Sequence, residues 1–195
     1  MQGVQYDMAR RATAGGETDS DPGVRRAYFE CRFGQLHVHN AMPAGGGFDE
    51  ATPLLCIHRH GASGRMFAGL MRAMGRDRSV YAPDLPGCGE SDGPPSAPAT
   101  DLAAALGDFM SDLRLRRVDV LAAGAGAFVA TELALMRADA VRRVAFLDLP
   151  DPAADPRIRE KLPLLAQPTL LLQARNDLEF DSPAIAAELR TFLSA

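Results

Sequence analysis

Residues 118–130 read VDVLAAGAGAFVA. A short apolar run carrying Val118 and Val120 passes into five small residues, Ala122 to Gly126, and a helical apolar pattern follows. Branched aliphatic residues suit a buried, pleated strand. Consecutive small residues mark a place where backbone must turn tightly or pass close to other backbone. A mostly apolar strand that runs straight into a helix suits a parallel sheet covered on both sides. This one segment therefore restricts the chain to an α/β architecture with a mostly parallel sheet flanked by helices.

The rest of the chain repeats the unit. RRAYFECRFGQLHVHNAMP (25–43) alternates around Gly34 and predicts a β-hairpin. AGGGFDEAT is a loop, and PLLCIH (53–58) predicts a buried strand. Helical spacing over 63–74 starts at Ser63, a residue type suited to capping a helix N-terminus. A strand over 78–84, a turn-rich stretch and an amphipathic helix opening at Thr100 or Asp101 and ending near 114 follow. Strands at 116–122, 141–148 and 168–174, a helix at 126–138 and a C-terminal helix after Ser182-Pro183 complete the alternation. Residues 1–24 are polar and aperiodic and predict a flexible leader; residues 25–195 predict the folded domain.

Composition narrows the function. At 195 residues the chain fits one domain, and a net charge of −4 gives no general attraction to nucleic acid or anionic membrane. No apolar stretch is long enough for a membrane span, and none follows Arg10 and Arg11 as a secretory signal requires. Cys31, Cys56 and Cys88 are odd in number and lack a disulfide-scaffold spacing, which predicts reduced thiols and a cytoplasmic location.

Three segments now carry a resemblance. HRHGASG (58–64) follows a strand, DLPGCGESD (84–92) follows the next, and Ala122-Ala123-Gly124-Ala125-Gly126 follows a third. In this order they resemble the oxyanion loop, the D-x-P-G-x-G-x-S turn and the G-x-S-x-G nucleophile elbow of the α/β-hydrolase superfamily. The resemblance covers residue 25 to the end and implies a shortened α/β-hydrolase-like fold. It places the backbone amides of an oxyanion hole at His60 and Ala125, with Arg59 standing where a glycine usually follows the His. It places the acid at Asp148 or Asp177.

The chemistry departs from the family at two positions. Gly124 occupies the place of the nucleophile. The histidines are His37, His39, His58 and His60, all in the first third, whereas the family's base comes from a loop near the C-terminus. The link from Asp148 to Thr169 holds one candidate helix, DPRIREKLPLLA, and no inserted cap domain is expected there. The implied protein is a degenerate α/β-hydrolase, a pseudoenzyme that binds a small molecule or partner and uses no cofactor.

Two alternatives stand beside it. One is an esterase-like hydrolase with non-standard residues, in which Cys88 paired with His60 supplies the nucleophile. The other is a dinucleotide-binding Rossmann protein, with the glycines at 124 and 126 as its fingerprint and Asp148 as its acidic partner. The two His-x-His pairs raise metal binding, but His37 and His39 lie on an alternating strand where solvent-facing residues are expected, so no metal is assigned.

Overall fold

The hairpin forms where alternation predicted it. Strand β1 (Arg25–Cys31) pairs antiparallel with β2 (Gly34–Ala41) across a two-residue turn. The structure, a computed structural model, describes residues 23–44, 51–173 and 183–195. Residues 1–22 of the leader expected over 1–24, Asp177 and Ser182 lie outside the described residues.

After the hairpin, strands and helices alternate: β3 (Ala51–Ile57), a 3₁₀ turn (Gly64–Phe67), α1 (Ala68–Met74), β4 (Arg78–Pro83), α2 (Ala99–Asp112), β5 (Val118–Ala123) and α3 (Gly126–Met136). Then come β6 (Val141–Leu147), α4 (Pro156–Lys161), a second 3₁₀ turn, β7 (Thr169–Leu172) and α5 (Pro183–Ser194). The sheet runs β1-β2-β4-β3-β5-β6-β7. Pairing is antiparallel up to β4 and parallel from β4 onward.

The central strands are apolar on both faces because both faces are covered. One side packs Leu36, Leu55, Ile57, Val120 and Phe146 against Phe109 of α2 and Leu133 of α3. The other packs Leu54, Cys56, Val80 and Leu121 against Leu70 and Met74 of α1 and Leu189 of α5. Each large apolar side chain so buried contributes about 1.5–3 kcal/mol relative to exposure.

Several element ends differ from the sequence expectation. Ser63 precedes a 3₁₀ turn, and its side chain caps nothing; its carbonyl accepts the Met66 N–H instead. Helix α2 opens earlier than Thr100, at Ala99, with the Pro98 carbonyl accepting the Asp101 and Leu102 amides. Proline has no N–H to lose and fixes its own backbone, so it can stand immediately before the first turn. The link between β6 and β7 contains only α4 and the short turn after it, as expected for a fold without a cap. Asp155 starts α4 by accepting the Arg157 N–H at 3.0 Å.

A buried ion cluster ties the strands together. Asp119 on β5 is fully buried and accepts two hydrogen bonds from the Arg142 guanidinium, at 2.8 and 2.7 Å. Arg78 of β4 approaches the same carboxylate at 3.5 Å.

Candidate active-site cleft

Gly124 sits on the tight turn between β5 and α3. Its N–H donates to the Leu147 carbonyl at 2.8 Å, and its own carbonyl accepts the Ala127 N–H at 3.0 Å. Its φ is +49°, a left-handed conformation that residues with a Cβ adopt at a cost. A Cβ there would stand 3.3 Å from the Cβ of Arg59. Gly126 is glycine for a different reason. A Cβ at that position would lie 2.6 Å from the His58 carbonyl oxygen and 2.7 Å from that of Ile57. The N-terminus of α3 thus packs directly on the end of β3. The Ala125 amide stands at the start of α3, where N–H groups have no partner within the helix and the helix dipole is positive.

His58 braces two loops. It is fully buried, and its Nε2 accepts the Leu85 N–H at 2.8 Å. Nε2 therefore carries the lone pair, and Nδ1 carries the proton that it donates to the Arg59 carbonyl, 2.8 Å away. Burial holds the imidazole below its ordinary pKa, against the opposing pull of the Arg59 carbonyl. A neutral, doubly bonded His58 has no nitrogen left to take a proton from a nucleophile.

Between these loops and α3 lies a cleft of about 340 Å³. It brings together three of the residues singled out from the sequence: His60, Cys88 and Ala125. Apolar side chains, among them Leu85, Leu102, Phe128 and Val129, form most of its wall. His60 is exposed at its mouth. Cys88 is half-buried; burial pushes its thiol up, and the nearby Asp84 charge pushes the same way. Asp148 directly follows β6 with a φ of +54°, and its N–H donates to the Leu172 carbonyl at 2.9 Å. Asp148 is not among the residues lining the cleft.

Arg157 was not foreseen. It reaches the cleft from α4, with its guanidinium 4.0 Å from the centre of the Phe128 ring and paired to Asp155 at 2.7 Å. The sequence signal was the Asp155-Pro156-Arg157 cap, but nothing local placed it over α3.

The expectation for His37 and His39 is corrected. Both are buried, not solvent-facing, because the loops after β3 and β4 fold over the end of β2. His37 Nδ1 lies 2.9 Å from Asp84. Burial alone would push the Asp84 carboxyl up. The Glu90 N–H, His37 and the Gly64 N–H outweigh it and hold the group below its usual range. Burial holds His39 below its ordinary value against the attraction of Asp84.

The sheet order also argues against the dinucleotide reading. In a doubly wound fold the glycine fingerprint belongs to the first βα turn. Here the first parallel strand is β3, followed by His58-Arg59-His60, whereas Gly124 and Gly126 follow β5.

The chain belongs to the alpha/beta hydrolase fold family, whose sequence pattern it matches over residues 52–195. Among solved structures it is similar to Cfl2 from Burkholderia cenocepacia, at 26% identity and a TM-score of 0.60. That match covers 67% of this chain and 43% of the other. The epoxide hydrolase CorEH shares 24% identity with a TM-score of 0.58 over 65% of this chain, and the chain spans 42% of that protein's length. A structure described as a membrane phospholipase A and bacterial virulence factor shares the fold over 89% of this chain and 86% of its own. Its TM-score is 0.72 at 17% identity. A search of curated proteins finds no match. No helix among the described residues is long and apolar enough to cross a membrane.

Proposed function

We propose that this chain is a non-catalytic member of its family that binds a small, largely apolar molecule in the cleft beside Gly124. The observation that carries the reading is the elbow itself. The turn, the left-handed backbone and the close packing of α3 are kept, and the residue at the attacking position has no side chain. The single buried histidine at the cleft spends both nitrogens on structural hydrogen bonds. The apolar wall suits an apolar ligand body, and the α3 amides with Arg157 suit an oxygen-bearing end. The three cysteines are unpaired, which fits a reducing, cytoplasmic setting.

The second reading is a hydrolase using Cys88, and one observation favours it: Cys88 and His60 line the same cleft. Against it, a thiol raised by burial is protonated at neutral pH, and the thiolate is the attacking form.

Binding of anilinonaphthalene sulfonate, an apolar body with an anionic end, tests the proposal through its fluorescence. Ala97→Trp, which fills the cleft from a loop, is expected to weaken binding by about tenfold or more while leaving the unfolding midpoint unchanged. Equal binding by the folded variant would remove the cleft as the ligand site.

A further inference from the structure

His37 and His39 are two residues apart on β2, so the pleat puts both side chains on one face of the sheet. That face is opposite the one bearing the cleft, since Leu36 and Val38 pack with α2 and α3. The antiparallel neighbour β4 then delivers Asp84 to the same place: the Asp84 N–H donates to the His37 carbonyl at 2.9 Å. One ring nitrogen from each histidine and one Asp84 oxygen all lie within 4.8 Å of one another.

We propose that His37, His39 and Asp84 bind a divalent transition-metal ion of the zinc type. His37 Nδ1 stands 2.9 Å from Asp84 Oδ2, and His39 Nε2 stands 3.9 Å from Asp84 Oδ1. Around a tetrahedral zinc, ligand atoms stand about 3.4 Å apart, a separation between those two. Two imidazoles and one carboxylate suit zinc and its first-row neighbours better than magnesium or calcium.

A second, independent feature points to a cation. His37 is 1% exposed, and its Nε2 is buried with no hydrogen-bond partner. When Nδ1 donates its proton to Asp84, Nε2 is left with a lone pair facing Glu90 Oε2 at 4.0 Å. Two acceptors then face each other, the buried His37 Nε2 and the exposed Glu90 carboxylate. A cation at Nδ1 removes the conflict. The ring's single proton moves to Nε2, where Glu90 can accept it, with no net gain or loss of protons on the ring. Glu90 is already held for this role by the Tyr28 hydroxyl, which donates to Oε2 at 2.8 Å. A carboxylate behind a ligating histidine fixes both its tautomer and its orientation.

His39 and Asp84 also line a cavity of about 480 Å³, which gives water a route to the remaining coordination position. The site shares no residue with the cleft and stands independently of the function proposed above.

The test is zinc binding to the full chain after stripping with EDTA, measured by competition with a chromophoric chelator. One equivalent is expected to bind, and Zn²⁺ is expected to raise the thermal midpoint. His39→Gln and His37→Gln should each weaken binding by at least about tenfold and abolish the thermal shift; Glu90→Gln should weaken it by about tenfold through the outer carboxylate. Asp84 also anchors two loop amides, so the histidine variants carry the test. No binding by the unaltered chain would overturn the proposal. So would undiminished binding by folded His39→Gln, which would place the zinc elsewhere.

Discussion

Gly124 carries two constraints that a side chain would violate to different degrees. The backbone is left-handed at φ +49°, and Arg59 crowds the place a Cβ would take, at 3.3 Å. Gly124→Ser is therefore expected to lower stability by about 1–3 kcal/mol in urea unfolding, a typical cost for a left-handed residue with a side chain. Adding Arg59→Gly should recover part of that loss by relieving the contact. Neither variant should hydrolyse esters efficiently, because general-base assistance is worth on the order of 10²–10⁴ in rate and the buried His58 has both ring nitrogens engaged in structural hydrogen bonds. His58 gives a pH prediction. Its folded pKa is depressed by burial, so the unfolded chain takes up a proton near its ordinary value of 6.5 before the folded chain does. The stability contribution is whole above pH 6.5 and is lost as pH falls through that value toward the lower folded one. His58→Gln should flatten the fall of the urea midpoint between about pH 7.5 and 5.5. The run of small residues made Gly124 legible in the sequence. The work of His58 was not, since its partner is an amide 27 residues away.

At the scale of elements, the strands and helices were legible because each carries its own period. The hairpin, β3 to β7 and the helices all stand within a few residues of where the pattern put them. What failed was decided between elements. His37 and His39 alternate like a half-exposed strand, yet Ser91 and Gly64 sit in loops that close over that face. The buried cluster around Asp119 was equally invisible, since its arginines come from β4 and β6. That cluster also latches the last helix, because the Arg142 and Arg143 guanidinium groups donate to the Leu193 carbonyl at 2.6 and 3.1 Å. Asp119→Ala would leave arginine charge without its carboxylate, a change that typically costs about 3–5 kcal/mol for a buried pair. The predicted result is a loss of that size in chemical denaturation. A loss under about 1 kcal/mol would show that solvent already screens the pair, as at an exposed site.

For the molecule as a whole, the fold was legible and the candidate site only partly so. Three turns in family order, each after a strand, bring His60, Cys88 and Ala125 to one cleft. The reach of Arg157 across α3, and the position of Asp148 outside the cleft lining, depend on how the β6–β7 link packs. Sequence spacing does not encode that packing. The result is an alpha/beta hydrolase fold with Gly124 on the turn between β5 and α3, and the proposed reading takes that turn as an elbow without its attacking group. The most direct test is steady-state hydrolysis of p-nitrophenyl butyrate by the purified chain. A rate equal to buffer, unchanged by Cys88→Ser, is predicted. Saturable turnover that a single substitution in the cleft abolishes would contradict it.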